Sequence, residues 1–369
     1  MGKDVDYLPQ ANWYLMNHSK KSTYLFSIDA LRVIAILAVI VIHVTTKTLA
    51  VLEHDVAVAP LSLFLNQAAR FAVPLFFLIS GFVLELNNNT GLSYLIFFKK
   101  RASRIIIPFV FWSIIYFLTT NRFEIFTLFS NRFLISLIYG TSSYHLYFIP
   151  TLILFYMAFP FLHGVITILK HPFVLTVIII IQLALLYHDY YQRQIQLSYD
   201  LRIAILCFSL FIIGMVASHK KPEIDLYIKK HFLALFIVLI SLIVGIYFHV
   251  RSLTLAHRTS SYIYNQFSPL NYAYTLVFSG FFSYILEKTQ FFRARFIELS
   301  KLSFFVFFIH VLVQNILWDT IITRLVMVYG NSIVRSFWFD PLLIALITLL
   351  SFGIAYVVHK ISWAPKITG

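Results

Sequence analysis

Long apolar runs alternate with short polar ones along nearly the whole chain. The runs lie at 25–46, 63–86, 105–119, 145–163, 172–188, 201–218, 232–249, 269–287, 302–319 and 338–359, two of them brief for a crossing. A bilayer core takes about 20 such residues per helix, and only helices or closed barrels satisfy their own backbone there. The pattern predicts an all-α fold, a polytopic transmembrane helical bundle of about ten spans. An even number of spans puts both ends on one side. With the polar arm and alternate loops taken as inside, about 18 Lys and Arg fall inside and about 8 outside, leaving Arg32, Arg70 and Arg202 in or near spans. Basic loops stay cytoplasmic. Both termini are therefore expected in the cytoplasm, with a cytoplasmic arm over residues 1–23 and a single integral membrane domain over 24–369.

The polar residues that interrupt the runs carry the candidate chemistry. The first run, SIDALRVIAILAVIVIHVTT, holds Asp29, Arg32 and His43. Arg32 and His43 are eleven residues apart, three helical turns plus about 20°, so they share one face about 16 Å apart along the axis. Asp29, one turn before Arg32, is placed to pair with it. One face thus carries an anion-binding group near one end and a proton-exchanging imidazole near the other, an expensive arrangement inside lipid that is either functional or places Asp29 and Arg32 at one membrane boundary and His43 at the opposite interface. In the second run Arg70 precedes Pro74 and the Ser80-Gly81 pair. Arg70 either snorkels to the outer interface or faces a polar cavity. Pro74 weakens the backbone ladder, and Ser80-Gly81 permits close helix approach. Lys99, Lys100, Arg101 and Arg104 cluster at the inner start of the third run. Arg101 and Arg104 share a face, and their guanidinium forks suit the phosphates of a nucleotide-bearing donor. His145 opens the fourth run near the outer level of His43, and His310 with Gln314 sits one turn apart in the ninth. His310 and Gln314 point into the bundle, bonded to a neighbour or lining a cavity, whereas His145 is either a structural interfacial histidine or a second titratable group beside His43.

Composition narrows the class further. The chain is 60% hydrophobic and 12% charged, with a mean hydropathy of +0.83. A soluble domain carries about twice that charge fraction. The formal charge of +14 belongs to cytoplasmic loops rather than to a nucleic-acid surface, and no nucleic-acid partner is expected. The lone Cys207 excludes an internal disulfide framework and a cysteine metal cluster. No cleavable signal peptide is evident in residues 1–23. Glu53-His54-Asp55 are consecutive loop residues that do not converge on one ion, so no metal site is expected. The remaining histidines, among them His163, His219 and His249, fall at span edges and read as interface anchors. The aromatic-rich outer stretches near 120–144, 189–200, 250–268 and 320–337 either lie on the membrane surface or line a mouth for a polar acceptor.

These motifs together resemble the acyltransferase 3 family of integral membrane acyltransferases, which modify cell-surface sugars, commonly by O-acetylation. The points of match are Asp29-Ala30-Leu31-Arg32 followed after ten residues by His43, then Phe76-Phe77-Leu78-Ile79-Ser80-Gly81-Phe82, Arg101 and Arg104 before Pro108, His145-Leu146-Tyr147-Phe148, and Leu302-Ser303 through Ile309-His310. Val33 stands where Gly is frequent and Tyr147 where Trp is frequent. Arg70 looks like a mark of small members that lack an appended extracytoplasmic domain. The resemblance implies acyl-CoA, commonly acetyl-CoA, as a donor substrate entering from the cytoplasm, with no permanently bound cofactor. It implies a hydroxyl acceptor on an outward-facing or lipid-linked saccharide in a bacterial plasma membrane. His43 matches the essential histidine and Arg32 its paired arginine; His43 and Asp29 are expected to be catalytic, and Arg32, Arg101 and Arg104, the last two matching the basic donor motif, to bind the donor. Arg70, His145 and His310 are expected on the acceptor side. A separate extracytoplasmic partner that finishes the transfer is compatible with this reading. The competing class is a carrier or exporter of a surface-polysaccharide precursor, whose intramembrane Arg and His line a path and which leaves acyl-CoA intact.

Overall fold

A helix that is apolar on every face has to be surrounded. The first helix, α1 (Phe26–Val51), has Leu31, Ile36, Ile40, Val44 and Leu49 all fully buried. A computed structural model describes residues 25–53, 56–88, 94–192, 197–257, 263, 265–289 and 292–361, giving the backbone alone at 94–103, 199–200 and 257. All regular structure among these residues is helical. After α1 come α2 (Pro60–Ala68), α3 (Ala72–Leu86), α4 (Tyr94–Thr120), α5 (Asn131–Tyr139), α6 (Phe148–Gly164) and α7 (Pro172–Tyr187). The chain continues through α8 (Tyr199–His219), α9 (Lys221–Lys230), α10 (Phe232–His257), α11 (Pro269–Lys288), α12 (Arg293–Leu317) and α13 (Phe339–His359). Each apolar run of the sequence is mainly helical, with turns at 69–71 in the second run and at 145–147 in the fourth. Among the described residues seven helical segments are long and apolar enough to cross a membrane, and Arg104–Thr120 and Phe148–Gly164 are shorter apolar helices. The chain is a polytopic helical membrane protein.

Helix α1 is the hub: α2, α3, α11, α12 and α13 all pack on it. Helices α7, α10 and α13 lie at the periphery, where only 22%, 17% and 22% of their most apolar windows are buried. Their exposed Ile180, Ile181, Leu233, Ile237, Leu346 and Leu349 suit contact with lipid tails. The expected arm over 1–23 falls outside the described residues, as do His54 and Asp55.

The second apolar run is two helices rather than one. Pro74 has no N–H to return to the carbonyl of Arg70, and its ring crowds that carbonyl. The chain therefore turns at Ala69–Phe71 between α2 and α3, with short bonds from Arg70 N to Gln67 O (3.2 Å) and Ala72 N to Ala69 O (3.1 Å). Arg70 sits in this break. Beyond it, α3 and α8 make the closest backbone approach. A Cβ on Gly81 would lie 2.0 Å from the carbonyl oxygen of Phe211, and one on Gly214 would lie 2.0 Å from that of Leu78. Phe155 of α6 extends this contact, stacked on Phe211 at 4.9 Å and meeting Phe77 edge-on at 5.1 Å between ring centroids.

At the end that the basic loops assign to the cytoplasm, two histidines read from sequence as anchors converge on a buried carboxylate. Glu85 of α3 is 6% exposed; it meets His163 Nδ1 of α6 at 3.0 Å and His219 Nε2 of α8 at 2.7 Å. A carboxylate in that setting needs donors, and two imidazoles supply them. The outer end carries the short helix α5, capped by Ser130 and closed by Gly140 in a left-handed conformation (φ 65°). Phe126 and Phe129 before it are 88% and 84% exposed, and Leu134, Ile135 and Ile138 are exposed on it. This apolar side fits a segment lying in the membrane interface.

Candidate active site

Helix α1 delivers His43 to a meeting point of α3, α6 and α12. Its ring stacks on His310 of α12, centroids 5.3 Å apart and planes 29° apart. Tyr144 stands edge-on at 4.9 Å and His145 at 6.4 Å. His145 in turn lies 5.3 Å from the ring of His310 and 5.1 Å from that of Tyr116. Three histidines, far apart in sequence, thus form one cluster. His310 is fully buried and His145 is 3% exposed, whereas His43 is half-buried. Among the described residues neither ring nitrogen of His43 has a hydrogen-bond partner in the protein. The ring is held by packing, which leaves its lone pair for an incoming group.

The surrounding helices fix this geometry through their own backbones. His310 Nδ1 donates to the carbonyl of Val306 at 3.0 Å, leaving Nε2 buried without a partner. Gln314, one turn on, donates its amide to the carbonyl of His43 at 2.9 Å, binding α12 to α1 at the residue of interest. Tyr116 of α4 places its hydroxyl between the carbonyl of Phe308 (2.5 Å) and the N–H of Leu312 (3.1 Å). Those two groups are the i,i+4 pair that a helix joins directly, so the tyrosine enters the α12 ladder at the turn that bears His310. On the opposite side, Gly140 lets the chain fold back so tightly that a Cβ there would lie 2.7 Å from the carbonyl of Leu146. That turn presents His145, whose Nδ1 bonds Ser143 Oγ at 3.1 Å.

A cavity of about 40 Å³ opens beside His43. Its apolar wall is Val39, Ile42, Val73, Phe76, Phe148 and Phe307, and its polar wall is His43, His145, Tyr147 and Gln266. Behind the polar wall lies Arg70. It does not snorkel: it is 3% exposed, donates to Asn66 Oδ1 from Nε (3.0 Å) and from its terminal nitrogen (2.6 Å), and reaches Gln266 Oε1 at 3.4 Å. Gln266 donates onward to the Tyr147 hydroxyl at 2.8 Å. Asn66 is itself held by Thr45 (2.9 Å) and Thr46 (3.0 Å), two and three residues past His43 on α1. The guanidinium is therefore fixed within a network of amides and hydroxyls, one side chain removed from the cavity.

The other end of α1 carries a different pair. Arg32 meets Asp29 at 3.2 Å, and Asp29 also accepts from Ser300 at 2.8 Å. Asp29 is fourteen residues from His43, about 21 Å along the axis. It positions Arg32 and has no contact with the His43 cavity. Arg104 is exposed on α4, and the Arg101 side chain lies outside the described residues. Between Arg32 and His43, Ile36 and Ile40 are fully buried and Val39 is 3% exposed.

A histidine cluster beside a small cavity, backed by a buried guanidinium and joined by one helix to a half-exposed arginine, is the arrangement of the motifs Asp29–His43, Phe76–Phe82, His145–Phe148 and Leu302–His310. The family model described as an acyltransferase domain, acyltransferase 3, matches residues 25–360. The chain belongs to the acyltransferase 3 family. No curated protein and no solved structure matches the chain. Within this acyltransferase the tertiary structure brings His43, His145, His310 and the Arg70 network together at one end, while Asp29, Arg32 and Arg104 stay apart from them. Among the described residues no group of His, Cys, Asp and Glu has the arrangement of a metal site. Tyr116, Asn66 and Gln266 join the site without having been singled out in the sequence. Asn66 is one turn before Arg70, a spacing that could have suggested the pair. Gln266 comes from an irregular loop whose sequence has no period to read.

Proposed function

We propose that this membrane acyltransferase moves an acyl group, acetyl by family resemblance, from cytoplasmic acyl-CoA to a hydroxyl of an extracytoplasmic or lipid-linked saccharide in a bacterial plasma membrane. Arg32, Arg101 and Arg104 hold the phosphates of the donor at the inner face, and the pantetheine arm brings the thioester toward His43 once the packing around Ile36, Val39 and Ile40 parts to admit it. A ring nitrogen of neutral His43 takes the acceptor's hydroxyl proton as the oxygen attacks the thioester carbon. The resulting oxyanion faces the Gln266 and Tyr147 wall, with the Arg70 guanidinium behind it. When the C–S bond breaks, the imidazolium returns the proton to the departing thiolate, giving the ester and free coenzyme A. His145 and His310 flank the acceptor side and hold the His43 ring in place.

The observation that carries this reading is the His43 imidazole: packed on three aromatic neighbours, with neither nitrogen hydrogen-bonded among the described residues, and opening on a cavity with a polar wall. The test uses the purified protein in lipid with radiolabelled acetyl-CoA and saccharide acceptors. Wild-type protein is expected to transfer label, and His43→Ala to lose about 10²–10⁴-fold in rate while keeping its fold. Equal rates for the two, or no label moved by the wild type across several donors and acceptors, refutes the assignment. A carrier would move its substrate with acyl-CoA unconsumed.

A further inference from the structure

The space beside His43 is small, and its wall is built not to yield. We infer that Phe76, Phe148 and Phe307 form an acyl-length gate that limits the transferred group to two carbons, an inference that rests on the acyltransferase reading of the His43 cavity. The reacting carbon has to lie within about 3–3.5 Å of the oxygen that His43 activates. The transferred acyl group, its carbonyl included, must therefore share this cavity, whose volume is about 40 Å³. That is room for about three non-hydrogen atoms, the number in an acetyl group.

The wall is an aromatic layer with a second layer behind it. Phe148 lies 5.7 Å from Phe76 and 5.5 Å from Phe307 between ring centroids. Behind it Phe77 sits at 5.0 Å, backed in turn by Phe155 and Phe211. Phe77 is fully buried, and Phe148 and Phe307 are 8% and 7% exposed. Rings in such packing do not retreat to admit another carbon without strain. The polar side is also fixed, because Gln266 is bonded to both Tyr147 and Arg70. An added methylene pointing inward then meets the packed layer of Phe148 and Phe307, and one methylene in a hydrophobic pocket is worth about 10–200-fold in discrimination. Phe76 and Val73 are the half-buried members of the wall, so they are the places where its size is most easily altered.

The test measures kcat/KM for acetyl-, propionyl- and butyryl-CoA in lipid for the wild type, Phe76→Ala and Val73→Leu, with thermal unfolding followed for each. The gate predicts that the wild type prefers acetyl over propionyl by about tenfold or more. Phe76→Ala narrows the acetyl-to-butyryl ratio by about tenfold or more, and Val73→Leu, which fills the cavity, lowers the acetyl rate about tenfold. The two variants change the space in opposite directions, and the conservative one keeps the inference open to refutation if the other folds poorly. A wild type that uses the three donors within threefold of each other overturns the gate and leaves the transferase intact. So does an unchanged chain-length ratio in a folded Phe76→Ala. A wild type that consumes none of the donors overturns the transferase reading and the gate with it.

Discussion

Replacing Tyr116 by Phe removes one oxygen from the bundle and leaves the shape of the ring unchanged. In the native structure that oxygen donates to Phe308 O at 2.5 Å and accepts from Leu312 N at 3.1 Å. Without it, the carbonyl and the N–H are still an i,i+4 pair on α12 and can satisfy each other directly. Two hydrogen bonds are lost and one helical bond is strengthened. At about 0.5–1.5 kcal/mol net per bond, the change in stability should be about 1 kcal/mol or less. The cost falls on position instead. Residue 310 lies between 308 and 312, so tightening that turn moves the imidazole on which His43 is stacked. A shift of about 1 Å at a reacting centre costs about 10²-fold in rate. Tyr116→Phe should therefore unfold within a few degrees of the wild type in detergent, yet show kcat/KM with acyl-CoA reduced about 10–100-fold. Full activity in the variant would refute the positioning role of Tyr116. A large fall in unfolding temperature with activity lost in proportion would make the tyrosine a structural residue only.

The remaining expectations concern the scaffold. Gly214→Ala drives a Cβ to within 2.0 Å of the Leu78 carbonyl, so α3 and α8 must separate and the yield of folded protein should drop sharply; Gly245→Ala, with nothing within 4 Å, should leave expression unchanged. Similar yields for the two would contradict the close α3–α8 approach. Glu85→Ala removes the carboxylate shared by His163 and His219 and should cost about 2 kcal/mol. A double-mutant cycle with His163→Ala should show coupling of about 1 kcal/mol in unfolding experiments, and additive effects would mean that the contact contributes nothing.

The sequence alone determined the class of fold and the shape of the site's first helix. Long apolar runs in a chain with 12% charged residues point to membrane-spanning helices, and among the described residues seven helical segments are long and apolar enough to cross a membrane. The period of a helix places Arg32 and His43 on one face, whatever surrounds them. Pro74 announced a weak backbone ladder, and the break at Arg70 follows from its missing N–H and its ring. What surrounds the site was not legible, because contacts between helices far apart in sequence have no local signature. His145 and His310 were visible as polar residues in apolar runs, but only packing stacks one on His43 and sets the other edge-on. Arg70 had two readings, interface or interior, and the side chains of Asn66 and Gln266 decided for the interior. His163 and His219 read as surface anchors until three helices carried them to Glu85. Composition and periodicity fix which groups must leave the lipid; the partner each then finds depends on how the helices pack, and that is decided only when the whole bundle closes.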